Sequence, residues 1–131
     1  MEKEIIPVPG LTEILDKADI PLSLAVRGAG LLFVSGTPPI DRDSGEMMVD
    51  GDFSTQTHHC LENIKAALEA GGSSLEKVLK VTVYVSNAAY FDTFNDIYRK
   101  YFPTAPPART FVAVGSWPVA FDIEVECIAL T

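Results

Sequence analysis

The 131-residue chain predicts an α+β fold: one mixed β-sheet with two helices packed on one face, in the order ββαβαββ. Three observations carry that expectation. Apolar runs of strand length, bounded by turn residues, lie at 22–34 and again at 109–129. Two segments with helical spacing, near 54–70 and 89–101, flank a strand in which Val81, Val83 and Val85 alternate with Thr82, Tyr84 and Ser86. A 47% hydrophobic content with seven Phe, four Tyr and one Trp supplies a core for a single domain over 1–131 and excludes global disorder.

Residues 1–20, punctuated by Pro7, Pro9 and Gly10, read as an irregular arm or short strand packed on the domain. From Leu22 to Val34, two apolar runs around Arg27-Gly28-Ala29-Gly30 form a hairpin signal, ended by Ser35-Gly36-Thr37-Pro38-Pro39. Asp41 to Asp52 is turn-rich and acidic, a surface loop with room for a short strand at Met47–Val49. The first helix is expected to start at a Ser54 cap and stop at Gly71-Gly72, burying Leu61, Ile64, Ala67 and Leu68. A short helical turn then leads into the Val81–Val85 strand. The second helix, about Ala89 to Tyr101, places Phe91, Phe94, Ile97, Tyr98 and Tyr101 on one side, and Pro103, Pro106 and Pro107 end it. Two strands, about Arg109–Val114 and Phe121–Ala129, complete the sheet. Its second face, taking Arg109, Phe111 and Ala113 or the alternate set, is expected to be buried against another subunit.

Eighteen acidic residues against ten basic ones give a net charge of −8, the wrong sign for steering nucleic acid to the surface. The opening MEKEIIPVPG carries no basic segment followed by an apolar one, and no apolar stretch approaches the roughly 18 residues needed to span a bilayer. A cytoplasmic protein without a membrane segment is expected, with Cys60 and Cys127 reduced and buried. Neighbouring His58 and His59 point about 100° apart on a helix and cannot chelate one ion, so no metal site is expected.

Two groups could carry chemistry. Arg109 follows a proline-stiffened approach and opens a strand, where a guanidinium fork can be aimed at a carboxylate; the alternative is a surface arginine paired with one of many acids. Asp122, Glu124 and Glu126 alternate with Ile123, Val125 and Cys127. They make either a solvated face or a row whose mutual repulsion raises one carboxyl toward a general acid/base.

GLLFVSGTPP, QTHHCLENIKAALEAGGSSLEKVLKVTVYV, FDTFNDIYRKYFPTAPPART and WPVAFDIEVECIAL together resemble the Rid (YjgF) family of reactive-intermediate deaminases, once labelled L-PSP endoribonuclease. The resemblance covers about residues 20–130. It implies a chorismate-mutase-like fold, a homotrimer with ligand clefts between subunits, and hydrolysis of carboxylate-bearing enamines or imines to keto acids and ammonia without a cofactor. Carried over, Arg109 would bind the carboxylate, Glu124 would handle water, Ser35 and Gly36 would line the cleft, and Asn95 would lie near it. Three positions depart from the family pattern: Leu22 stands where tyrosine is frequent, Thr37 where glutamine is, and Phe111 where cysteine is. Leu22 and Phe111 make the expected pocket wall more apolar and favour a bulkier substrate. Two other functions compete: a ligand-binding or regulatory trimer without turnover, and a ribonuclease or translation inhibitor, which the acidic charge disfavours.

Overall fold

A computed structural model of the chain describes residues 2–131. Its strands are β1 (Glu4–Ile6), β2 (Ala25–Gly28), β3 (Leu31–Thr37), β4 (Val78–Val85), β5 (Ala108–Ala113) and β6 (Ile123–Leu130). The helices are α1 (Thr12–Lys17), α2 (Phe53–Ala70) and α3 (Phe91–Tyr101). One sheet holds all six strands in the order β1-β2-β3-β6-β4-β5. Only β4 and β5 run parallel, joined through α3; the other neighbours are antiparallel. Because β3 and β4 both run antiparallel to β6, the α2 connection crosses over the last strand, which fills the gap between them. This is the predicted α+β arrangement, preceded by one further strand and a short helix.

The local causes are visible in the chain. Ala29 and Gly30, both at positive φ (56° and 76°), make the two-residue turn whose twist suits a β-hairpin. Asp52, not Ser54, caps α2: its carboxylate accepts from the Thr55 N–H at 2.7 Å, and Ser54 sits inside the first turn. The predicted second helix divides into a 3-10 turn at Ala88–Tyr90 and α3 proper. In the first twenty residues β1 adds an edge to β2, as the short-strand expectation held, but α1 follows it. Six residues are too few to display a helical period, so that helix was illegible in the pattern. No strand forms at Met47–Val49; Met47 makes a single bridge to Ile40, and buried Asn63 of α2 donates to the Ile40 carbonyl at 2.8 Å, anchoring the loop.

The core lies between the sheet and helices α2 and α3. Cys60, Leu61, Ile64, Ala67 and Leu68 of α2 meet Val81, Val83 and Val85 of β4 and Ile123, Val125 and Cys127 of β6, all buried. Each fully buried aliphatic side chain contributes roughly 1.5–3 kcal/mol. In β5, Arg109, Phe111 and Ala113 pair with Val81, Val83 and Val85, so they point to the helix side. The uncovered face therefore takes the alternate set, with Thr110 and Val112. Both cysteines are free and buried, as expected. Among the described residues no helix is long and apolar enough to cross a membrane.

The end of α2 is tight against the sheet: a Cβ at Gly71 would fall 2.5 Å from Leu32 Cδ2 and 2.7 Å from its Cδ1, and Leu32 is fully buried. Overpacking of that kind costs about 1–3 kcal/mol. Gly71→Ala is expected to lower the unfolding free energy by that amount, read from its denaturation curve; an unchanged curve would mean that Leu32 has room to move.

Candidate functional site

On the open face of the sheet, β3 carries a bulge. Its register with β6 steps from Val34–Cys127 to Thr37–Val125, one residue more on β3 than on its partner. Thr37 turns inward, fully buried, and its hydroxyl donates to the Ser35 carbonyl at 2.9 Å. Ser35 donates its own hydroxyl to the Ser23 carbonyl at 2.6 Å, which ties the exposed Leu22 to the same corner. Gly36 is left directly over Glu124. A Cβ there would lie 2.9 Å from Glu124 Cδ, so the carboxyl in this position uses the space that glycine leaves.

Glu124 and Glu126 share the open face, but their circumstances differ. Tyr84 donates its hydroxyl to Glu126 Oε1 at 2.6 Å, a bond that, with burial, pushes the phenol up to about 12. Among the described residues no hydrogen bond reaches the Glu124 carboxyl. Burial, and after it the charge of Glu126, raises Glu124 above the ordinary 4.5. The predicted three-carboxylate row shrinks to these two, because Asp122 precedes β6 and is held by Gln56 Nε2 at 2.9 Å and Ser86 Oγ at 2.8 Å. Burial pushes the Cys127 thiol up to about 12 and Cys60 well above its usual range.

On the helix side, at the β5 edge, a cleft of about 510 Å³ opens between α3 and the proline segment. Asn95, Tyr98, Phe102, Pro107 and Arg109 are among its walls. The Arg109 guanidinium carbon lies 5.0 Å from the Tyr98 ring centre, 5.5 Å from Phe94 and 5.6 Å from Phe91. Among the described residues Arg109 forms no salt bridge or hydrogen bond, although the chain is strongly acidic. Asn95 Oδ1 and the Tyr98 hydroxyl are buried without partners, and burial pushes the Tyr98 phenol up to about 12 against the pull of Arg109. Phe111, two residues beyond Arg109 on the same face, meets Phe91 edge-on with ring centres 5.2 Å apart.

The residues singled out from sequence thus fall into two groups. Ser35, Gly36, Glu124 and the neighbouring Leu22 gather at the β3 bulge, whereas Arg109, Asn95 and Phe111 gather at the α3–β5 cleft. The sheet stands between the groups: Arg109 pairs with inward Val81, and Glu124 lies opposite outward Tyr84. Within one chain they cannot serve one ligand. Sequence reasoning passed over Tyr84 and the roles of Phe91, Phe94 and Tyr98; the spacing of the last three on α3 was the available signal. His58 and His59 are half-buried, and His58 Nδ1 lies 3.2 Å from the Tyr101 hydroxyl.

A six-stranded mixed sheet in this strand order, backed by two long helices, is the arrangement of a Rid-type protein. The chain belongs to that family: the family described as Endoribonuclease L-PSP matches residues 14–131. A RutC family protein of Pyrococcus horikoshii is 44% identical over 127 residues, 97% of each chain. Reactive Intermediate Deaminase A of Arabidopsis thaliana, a chloroplastic protein, is 35% identical over 129 residues, 98% of this chain and 66% of that one. Among solved structures, E. coli TdcF with bound serine matches with a TM-score of 0.79 and 31% identity, covering 85% of this chain and 88% of that one.

A carboxyl raised in the folded state favours folding fully only below its unfolded value, and that contribution is lost as pH climbs through the raised folded value. Glu124→Gln removes the loss. Denaturation curves of parent and variant should coincide below about pH 4.5, the ordinary value, and separate toward neutrality with the variant more stable. Parallel curves at every pH would mean that Glu124 is solvated.

Proposed function

We propose that the protein is a cofactor-free hydrolytic deaminase that converts a carboxylate-bearing enamine or imine to a keto acid and ammonia, working as a homotrimer with its sites between subunits. The observation that carries this reading is the division of the candidate residues between two sides of one sheet. A guanidinium without a counter-ion and a carboxyl without a hydrogen-bond partner become one site when the arginine cleft of one subunit meets the open face of another. That face has reason to be covered: Ile5, Phe33, Leu79, Val112 and Leu130, all exposed in the single chain, project from it. The name of the Arabidopsis relative and the serine bound in TdcF support a small amino- or imino-acid ligand.

The chemistry needs little apparatus. The Arg109 fork would take the carboxylate bidentately, fixing the adjacent imine carbon. With the imine protonated at nitrogen, Glu124 would accept a proton from water as the oxygen bonds to that carbon, giving a neutral carbinolamine. It would return the proton to the nitrogen and then take the carbinolamine hydroxyl proton as the C–N bond breaks, leaving the keto acid; that proton passes to the departing ammonia as ammonium. An enamine first takes a proton at carbon to become the imine. A carboxyl raised by burial suits both directions of that proton relay. Ser35 and Gly36 would shape the floor, Asn95 would lie beside the Arg109 cleft, and Leu22 and Phe111 would favour a less polar substrate.

One rival keeps the arginine clamp and omits turnover, as a ligand-binding trimer; exposed Leu22 in place of a tyrosine hydroxyl favours it. RNA cleavage is a poorer reading for a chain of net charge −8.

Light scattering is expected to give about three times the 14.2 kDa chain mass. A stable monomer at micromolar concentration would remove the shared site. In calorimetry with pyruvate, Arg109→Ala should bind roughly 10- to 150-fold more weakly. Glu124→Gln should retain binding while ammonia release from an enzymatically generated imine falls roughly 100-fold or more. Undiminished turnover in Glu124→Gln would hand the site to the non-catalytic reading.

A further inference from the structure

Arg109 poses a physical question that its proposed role does not answer. Arginine has a long, mobile side chain, and in a chain with eighteen acidic residues an unpaired guanidinium should find a carboxylate. Here it does not. Its carbon instead sits within 5.6 Å of three ring centres, all from α3 at positions 91, 94 and 98, the spacing that stacks side chains along one helix face. Rings engage a guanidinium through its flat face and leave the in-plane N–H bonds open, and those bonds are what a carboxylate requires.

Phe94 and Tyr98 are buried, and core packing alone accounts for them. Phe91 is different: it is 45% exposed at the start of α3, and its ring contacts are Arg109 and Phe111. Phe111 in turn lies 5.5 Å from the Phe94 ring, so the two phenylalanines close a box around the arginine from the solvent side. We propose that Phe91, buttressed by Phe111, is a positioning residue that clamps the Arg109 guanidinium by its face and presents its N–H edge to an anionic ligand. The clamp gives Phe111 a second role besides any contact with substrate. Its consequence for ligand binding rests on the carboxylate role proposed for Arg109; the clamp itself does not.

The test compares Phe91→Leu, which keeps apolar bulk without a ring face, with Phe91→Trp, which enlarges that face. Phe91 is exposed enough that neither change should prevent folding. The first readout needs no ligand: the Arg109 Nε–Hε resonance, assigned by its loss in Arg109→Lys, should be shifted by ring currents in the parent. It should move toward the free-arginine position in Phe91→Leu and remain displaced in Phe91→Trp. The second is calorimetric affinity for pyruvate, expected to fall roughly 2- to 5-fold in Phe91→Leu and to be retained in Phe91→Trp. An Arg109 resonance unmoved in Phe91→Leu, or equal weakening in both variants, would overturn the clamp. A parent that binds no pyruvate would instead overturn the carboxylate reading, and the resonance alone would then decide the clamp.

Discussion

Strand β6 is hydrogen-bonded to β3 on one side and β4 on the other, and side chains along it alternate between two different environments. Ile123, Val125, Cys127 and Ala129 are sealed under the helices, while Glu124 and Glu126 stand on the uncovered face. A shift of one residue would drive both carboxylates into the core, so the register of the whole sheet is held by the cost of burying charge. The α2 crossover, the bulge in β3 and the parallel addition of β5 all meet this one strand or its neighbour. The position of the acid relative to the arginine follows from the same alternation.

That alternation separates charges that would otherwise cancel. With Arg109 on the helix side and the two glutamates on the other, the guanidinium lies within 5.6 Å of three ring centres and, among the described residues, makes no hydrogen bond. The glutamates are distinguished in turn by one hydroxyl. Tyr84 donates to Glu126, whereas among the described residues no hydrogen bond reaches Glu124, which packs against Gly36. The two groups stand on opposite faces of the sheet within one chain.

Legibility in the sequence followed the length of the pattern. The β2–β3 hairpin, α2, β4, α3 and β6 were readable because each repeats its period several times, and the Gly71-Gly72 stop and the three prolines mark real boundaries. The six-residue α1 repeats nothing, and the α2 cap was misplaced because serine and aspartate compete for one role within two positions. For the candidate site, composition and spacing offered Arg109 and the glutamates with alternatives open, and resemblance to the family supplied Ser35, Gly36 and Asn95. The aromatic box went unread since Phe91, Phe94 and Tyr98 look like any amphipathic helix face until a partner strand is placed against them.

The sequence by itself determined which residues alternate, which stretches coil, and that the chain carries a net charge of −8, because those properties belong to near neighbours and to composition. Only the tertiary structure decided which face of β5 turns inward, that Asp122 is tied to Gln56 and Ser86 while no hydrogen bond among the described residues reaches Glu124, and that the Glu124 carboxyl packs against Gly36. Each of these depends on a contact between segments far apart in the chain, such as β4 beside β5 or α2 beside the approach to β6. No local period encodes which distant segment will supply the partner.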